Sequence, residues 1–429
     1  MTDPAPPVGV VVPYYDDQPR LTLLLRALAQ QRTTAPFEIV VADDGSPARP
    51  VIPPGLGRPV TVVGQPDRGF RAAAARNLGA AHTAADLLLF LDGDTLPAPG
   101  YVQAMVDRLR ALDDGSGALV VGRRRHADLG SVPADEVLRF LCGDTVSSIT
   151  VLDEPSWLRD GYARTDDLCL AGEEDFRLII SAVLGVDRRL WSAIGGFDAS
   201  FVGYGGEDWD LGWRAWLAGA RWAHEPAALA WHDGPDAAGR AASSSGPAAN
   251  TGQNTGKNTE ALRLARTIPL PSVRGRALVL AQPDIVVRYL GPTTGTAADA
   301  AVVAGVVDLL AGVDAGVWFP RCSADGPDRL PPLLAQDPRV RAGQVPADVL
   351  RRARFQVSVT RPLTLSAPLD RCCAAGEWEV PGWVSIRRTR SLNRSEPPPA
   401  GRPIAPQGPD RLVRPIPDDV SLERWWGGW

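Results

Sequence analysis

The chain has 429 residues, of which 45% are hydrophobic and 22% are charged, as is typical of a folded globular protein. Its 45 Lys and Arg residues against 50 Asp and Glu residues give a formal net charge of −5. The protein therefore has no excess of positive charge with which to bind the phosphate backbone of a nucleic acid, and we expect no nucleic-acid partner.

No segment of the sequence has the features of a secretory signal or of a membrane span. Residues Met1–Pro7 contain neither a basic stretch nor an apolar core. The most apolar long segment, Ala297–Trp318, is interrupted by Asp299, Asp308 and Asp314, which is typical of a buried helix and turn. We therefore predict a cytoplasmic protein with no integral membrane segment.

Short β-branched or apolar runs alternate with amphipathic segments from residue 8 onward. The predicted strands are Val8–Val12, Glu38–Ala42, Val60–Val63 and Leu87–Leu91, and the predicted helices are Arg20–Gln31 and Phe70–Ala81. This alternation predicts an α/β fold with a mostly parallel central sheet.

Composition divides the chain into four predicted parts. Residues 1–234 form the first α/β domain, and the Gly-, Ser- and Asn-rich residues 235–268 form a flexible linker. Residues 269–392 form a second, smaller α/β module for an acceptor or a partner, and residues 393–429 form a Pro-rich extended tail ending in tryptophans.

Carboxylates follow several of the predicted strands. Asp92 and Asp94 come directly after Leu87–Leu91, and as an Asp-Gly-Asp sequence they suit Mg²⁺ or Mn²⁺, which bind oxygen ligands. An isolated sequence of this kind is more often a turn that ends a strand. Here Asp44 follows the second strand and Tyr15 follows the first, at the same predicted sheet edge. A carboxylate there can bind a base or ribose, and an aromatic ring can stack on a base.

A second acidic sequence lies downstream, where glycines at 203, 205 and 206 precede Glu207 and Asp208. These two carboxylates open a predicted helix, whose N-terminus favours their ionised form. An ionised carboxylate suits a general base, whereas the alternative is simple capping of a helix that packs tryptophans into the core.

The sequence resembles family 2 glycosyltransferases of the GT-A fold. VVVPYYD, EIVVADDGS, DRGFRAAAARNLGAA and LLLFLDGD are similar to that family's successive nucleotide-sugar motifs, and the resemblance covers about residues 8–235. It implies that Pro13, Tyr15 and Asp44 hold the nucleoside, that Arg71 and Arg76 lie near the diphosphate or donor sugar, and that Asp92 and Asp94 bind ribose and metal. Tyr14-Tyr15-Asp16 departs from the usual small residue, Tyr and Asn, which leaves the base open.

The sequence GGFD…GYGGED resembles an acceptor-side motif of chondroitin-type polymerases, β-1,4-galactosyltransferases and polypeptide N-acetylgalactosaminyltransferases. The resemblance implies that Asp208 removes the acceptor proton and that Glu207 holds the acceptor. The family 2 motifs upstream favour inversion at the sugar carbon, whereas the acceptor-side motif also occurs in retaining members and leaves the stereochemistry open.

The same resemblance implies that His232 completes the metal shell with Asp94, and His224 is the second choice among the four histidines. Trp209 is the predicted stacking platform for the acceptor, while Trp213 and Trp216 follow at helical spacing and are expected to face the core.

The predicted function is therefore a glycosyltransferase that uses Mn²⁺ or Mg²⁺. It would move a sugar from a nucleotide-diphosphate donor, most simply a UDP-sugar, to a glycan, peptide or natural-product acceptor. The insertion Arg123–Asp187 would line the acceptor side, and the loop Pro235–Asn258 would close over the donor. A nucleotidyltransferase would need a Gly-rich basic loop after the first strand, which the sequence lacks. A non-catalytic glycan-binding scaffold on a decayed transferase fold is the remaining alternative.

Overall fold

The computed structural model describes residues 7–235, 259–275, 280–293, 296–322, 330–394 and 412–427. The chain divides into two units. The first unit comprises Met1–Trp216 and Ala220–Arg263, and the second comprises Leu217–Gly219 and Leu264–Trp429.

The first unit is built on a nine-stranded sheet with the order β3-β2-β1-β4-β8-β6-β9-β5, and β7 pairs with β6. The strands are β1 (Val8–Tyr14), β2 (Phe37–Asp43), β3 (Val60–Gly64), β4 (Leu87–Leu91), β5 (Thr95–Pro97), β6 (Ala118–Asp128), β7 (Thr150–Leu152), β8 (Val183–Asp187) and β9 (Arg221–Asp233). β1 and β4 lie in the interior of the sheet, between β2 and β8, and their side chains are almost entirely buried.

The α/β architecture predicted from the sequence is confirmed, and the unit has a GT-A-like fold. The sheet is mixed rather than mostly parallel. β1, β2, β3 and β4 are parallel, but β8 runs antiparallel to both β4 and β6. Neighbouring strands that are joined by one crossover helix run parallel. The chain between β4 and β8 instead passes through several other strands and helices.

The helices of the first unit follow apolar stripes in the sequence. They are α1 (Gln18–Ala29), α2 (Ala72–Ala81), α3 (Tyr101–Leu112), α4 (Ala134–Leu141), α5 (Ser156–Arg164), α6 (Arg188–Ile194) and α7 (Glu207–Leu217), with a 3₁₀ helix at Glu173–Leu178 and α8 over residues 259–267. In α1, the Asp17 side chain caps the helix by accepting from the Arg20 N–H at 3.1 Å. α1 starts two residues before the prediction, and its buried leucines are the ones that the sequence periodicity indicates.

The second unit contains a six-stranded sheet with the order β12-β11-β10-β13-β16-β15 and a separate pair, β14 with β17. Its strands are β10 (Ile285–Tyr289), β11 (Ala315–Phe319), β12 (Val340–Ala342), β13 (Phe355–Val359), β14 (Leu363–Leu365), β15 (Trp378–Val380), β16 (Val384–Arg388) and β17 (Val413–Pro415). Its helices are α9 (Pro271–Arg274), α10 (Thr296–Leu310), α11 (Ala347–Leu350), α12 (Leu369–Ala374), α13 (Thr389–Asn393) and α14 (Leu422–Gly427), with a 3₁₀ helix at Leu334–Gln336.

Two segments differ from the sequence-based expectation. α8 lies inside the predicted linker 235–268, whose residues 236–258 are outside the described part. The predicted extended tail contains β17 and α14, because Val413 and Ile416 are apolar enough to be buried between the prolines. Across the described ranges, no helix is both long and apolar enough to cross a bilayer.

Candidate active site

The carboxyl ends of β1, β2 and β4 meet at one edge of the first unit's sheet. Tyr14 at the end of β1 is in register with Asp43 at the end of β2, and the Asp44 N–H donates to the Tyr14 carbonyl at 2.8 Å. A cavity of about 310 Å³ opens at this edge. It is lined by Pro13, Tyr14, Tyr15, Asp17, Arg20, Leu21, Asp44, Phe70, Ala72, Ala75, Arg76, Asp92, Gly93, Asp94, Arg124, Tyr204 and His232.

We call this cavity the donor-side cavity. Its lining includes the three residues that the resemblance assigns to the nucleoside: Pro13, Tyr15 and Asp44. Tyr15 is 52% exposed, so its ring face is available for stacking. The Asp44 carboxylate is buried and fixed, because it accepts from Gln65 Nε2 at 2.6 Å and from the Arg71 backbone N–H at 2.7 Å.

Arg71 therefore acts at this edge through its backbone, and its side chain does not line the cavity. Gln65 was missed by sequence reasoning. Its position just after β3 was the available signal.

Asp94 and His232, the predicted metal ligands, lie together. β5 pairs antiparallel with β9, and Thr95 opposes His232 in this pairing. Asp94 Oδ2 consequently lies 3.3 Å from His232 Nε2, while His232 Nδ1 contacts the Gly234 carbonyl at 3.1 Å and so orients the ring. Burial alone would raise the pKa of Asp94, but the hydrogen bond and charge interaction with His232 lower it to about 2.

One carboxylate oxygen and one imidazole nitrogen converging on the donor-side cavity fit an Mn²⁺ or Mg²⁺ ion whose remaining ligands are diphosphate oxygens. Within the described ranges no group of three His, Cys, Asp or Glu side chains is assembled for a metal. Asp92, the third predicted ligand, has its Oδ1 atom bound to Arg76. His224, the second-choice histidine, lies elsewhere, stacked on Tyr162 with ring centroids 3.9 Å apart.

Arg76 joins the donor side of the site to the acceptor side. It lies in α2, is 3% exposed, and donates to Asp92 Oδ1 at 2.7 Å and to Glu207 Oε1 at 3.0 Å. Burial opposes the charged form of this guanidinium, but the two carboxylates outweigh it and raise the Arg76 pKa further. Arg76 also lines the donor-side cavity, where the resemblance expects it to meet the diphosphate or sugar.

The loop before α7 is held by glycine backbone conformations. Gly203, Gly205 and Gly206 have φ angles of +94°, +87° and +93°, which side-chain-bearing residues rarely adopt. A Cβ on Gly205 would lie 2.8 Å from Glu260 Oε2 of α8. α7 begins directly after this loop, with Glu207 and Asp208 as its first two residues.

The surroundings of Asp208 disfavour its ionised form, whereas its position at a helix N-terminus alone would favour that form. Burial raises the pKa of its carboxyl to about 8, and Glu207 and Glu260 add to the rise, while Arg76 and the Trp209 N–H oppose it. The sequence indicates the helix position but not the burial, which here is the larger effect. A carboxyl in this range can accept a proton near neutral or mildly basic pH.

Of the three tryptophans of α7, Trp213 is buried, whereas Trp209 and also Trp216, which was expected to face the core, are partly exposed. Trp213 is fully buried and packs edge-on to Phe176 with centroids 5.9 Å apart, as expected for a core residue. Trp209, the predicted acceptor platform, is partly exposed and meets the same ring at 6.2 Å.

Two family models match consecutive parts of this unit. Residues 9–155 match the model described as Glycosyl transferase family 2, and residues 173–229 match the model described as N-terminal domain of galactosyltransferase. Residues 9–155 are thus similar to the family 2 glycosyltransferases that the sequence motifs resemble, and residues 173–229 are similar to a galactosyltransferase domain.

Curated relatives match over about half of this chain. Hyaluronan synthase of Pasteurella multocida is 27% identical over 242 residues, 53% of this chain and 24% of that protein. Chondroitin synthase of Escherichia coli is 25% identical over 276 residues, 61% of this chain and 38% of that protein. Validoxylamine A glucosyltransferase of Streptomyces hygroscopicus subsp. limoneus is 33% identical over 235 residues, 50% and 48% of the two chains. The chain thus spans about a quarter of the length of the first curated relatives it matches.

Proposed function

We propose that this protein transfers a sugar from a nucleotide-diphosphate donor, most simply a UDP-sugar, to a glycan, peptide or natural-product acceptor. The observation that carries the proposal is the convergence of Asp94 and His232, 3.3 Å apart, in the same cavity as Tyr15 and Asp44. The family 2 match and the transferase and synthase names of the relatives support the same class of reaction.

In this proposal the nucleoside lies against Tyr15, and the fixed Asp44 carboxylate accepts hydrogen bonds from the base or ribose. Asp94 and His232 would hold Mn²⁺ or Mg²⁺, which when bound neutralises charge on the leaving diphosphate. Asp92 is kept in position by Arg76 and faces the ribose side of the cavity.

On the acceptor side, Asp208 takes the proton of the attacking hydroxyl, and Glu207, fixed by Arg76, holds the acceptor. The acceptor oxygen forms a bond to C1 of the sugar, and the bond from C1 to the diphosphate oxygen breaks with its electron pair going to the nucleoside diphosphate. A single displacement of this kind inverts C1. Trp209 offers a partly exposed ring on which an acceptor sugar can stack.

The alternative is a glycan-binding scaffold that has lost catalysis. The enzyme is favoured because every carboxylate that the resemblance expects is present: Asp44, Asp92, Asp94, Glu207 and Asp208.

The test is calorimetric titration of the full chain with UDP-, GDP- and dTDP-sugars, with and without Mn²⁺. Asp94→Asn removes one metal ligand with little change of shape, and Asp144→Asn, an exposed carboxylate on another part of the surface, is the matched control. We expect metal-dependent binding of one donor that Asp94→Asn weakens at least tenfold and the control leaves unchanged. Absence of donor binding under every metal condition would support the scaffold instead.

A further inference from the structure

A second cavity, of about 320 Å³, lies in the first unit beside the donor-side cavity. Its size is within the range of small-molecule sites. Its polar lining includes Arg123, Arg124, Glu154, Tyr162, Asp167 and His224. Most of these residues belong to β6 and to the segment that follows it, and only His224, the second-choice metal ligand, has a role assigned from the sequence motifs.

Each charged residue of this lining except Arg124 is paired with another side chain. Arg123 shares Glu154 with Arg125, at N···O distances of 2.6 and 3.2 Å, and Arg159 pairs with Asp160 at 3.0 Å. Asp167 is bonded to His224 at 2.7 Å. Arg124, between the two paired arginines, has no hydrogen bond or ion pair to any described residue. A guanidinium left free in this way is suited to bind a carboxylate or phosphate of a ligand.

Arg124 lines both cavities. Its charge acts on Asp94 in the first cavity and on Tyr162 in the second. Because the two cavities share Arg124, a ligand in the second cavity would lie beside the donor-side cavity.

The walls of the second cavity are held in uncommon backbone conformations. Asp166, Asp167 and Leu168 have φ angles of +48°, +50° and +69°, in the left-handed region that residues other than glycine adopt infrequently. This turn holds His224 through its Nδ1 contact to Asp167 and through the His224 N–H, which donates to the Asp167 carbonyl at 2.8 Å. Backbone strain of this kind is characteristic of functional sites.

A β-bulge completes the wall. The pairing of β6 with β9 shifts between Gly122 and Arg123, where β9 has extra residues. A Cβ on Gly122 would lie 2.8 Å from the Ala228 carbonyl oxygen, so only glycine permits this approach. Bulges redirect side chains next to active sites, and this one directly precedes Arg123 and Arg124.

We propose that the second cavity is an acceptor subsite for an anionic saccharide, whose carboxylate or phosphate binds Arg124. The inference rests on the proposed function, since it makes the ligand of this cavity the acceptor of the transfer. It narrows the proposed acceptor from a glycan, peptide or natural product to an acidic saccharide.

The test is ligand-observed NMR on the full chain with UDP and Mn²⁺ present. The probes are methyl glucuronide, glucose 6-phosphate and the neutral methyl glucoside. Arg124→Ala removes the free charge, and Ala163→Trp, on the exposed side of α5, fills the second cavity without touching the donor-side lining. Arg139→Ala, an exposed arginine outside both cavities, is the control for loss of one positive charge.

We expect at least one anionic probe to bind tenfold or more tightly than methyl glucoside, and both cavity variants to abolish that preference while Arg139→Ala keeps it. The stronger of the two anions identifies a carboxylate or a phosphate as the recognised group. Equal binding of the neutral sugar, no binding of any probe, or an anion preference that survives both variants would overturn the proposal.

UDP binding measured on the same samples separates this inference from the proposed function. Retained UDP affinity without an anion preference removes only the acceptor subsite. If Arg124→Ala weakens UDP but not the anionic sugars, Arg124 serves the diphosphate and the subsite assignment is wrong.

Discussion

Replacement of Arg76 by methionine should destabilise the fold strongly. The guanidinium is buried and lies 2.7 Å from Asp92 and 3.0 Å from Glu207. At an effective dielectric constant of about 20, unit charges 3 Å apart attract by roughly 5 to 6 kcal/mol, part of which is offset by desolvation. Glu207 is well buried, so Arg76→Met leaves it uncompensated, and we expect a loss of about 3 to 5 kcal/mol in the free energy of unfolding.

The measurement is urea unfolding of Arg76→Met, Glu207→Gln and the double variant. If the pair is coupled as the distances indicate, the double variant loses clearly less than the sum of the single variants. Arg139→Met breaks an exposed pair with Asp144 and should cost less than about 1 kcal/mol. A loss below about 1 kcal/mol for Arg76→Met, or additive single effects, would refute the reasoning.

Three further predictions concern the acceptor side and the core. Because the pKa of Asp208 is raised to about 8, its base form increases as the pH rises, so kcat/KM should climb up to about pH 8 and then level off. Asp208→Asn should lower the rate by roughly 10² to 10⁴ and remove this pH dependence, and a profile that falls with pH would contradict the assignment. Gly205→Ala should cost about 1 kcal/mol or more in urea unfolding, since its φ of +87° is one that residues with a Cβ rarely adopt, and an unchanged free energy of unfolding would contradict this requirement for glycine. Trp213→Ala should cost about 3 to 5 kcal/mol in thermal or urea unfolding, and a small loss would mean that the side chain is not part of the core.

The parallel part of the fold was predictable because its signals are local. Leu87–Leu91 matches β4 exactly as an uninterrupted apolar run, and the buried leucines of α1 follow helical periodicity. Strand ends then place Asp44 and Asp94 at one edge, since parallel strands share a direction. Local pattern and sheet geometry together therefore account for the donor half of the candidate site.

The remaining features depend on contacts between distant parts of the sequence. Arg76 and Glu207 are 131 residues apart, and nothing near either residue indicates that they pair. No sequence motif marks Arg124. Arg124 has no ion pair because Glu154 pairs with Arg123 and Arg125, the arginines on either side of it. The pKa of Asp208 depends on how deeply α7 is buried, which periodicity does not measure.

The second unit repeats the strand arrangement of the first without its chemistry. β12, β11, β10 and β13 are parallel and are followed by antiparallel β16, just as β3, β2, β1 and β4 are followed by antiparallel β8. The three residues after β10, β11 and β13 are Leu-Gly-Pro, Pro-Arg-Cys and Thr-Arg-Pro, with no carboxylate among them. Among the described residues, carboxylates directly follow the corresponding strands in the first unit alone, so the proposed function predicts that one nucleotide saturates each chain in a titration.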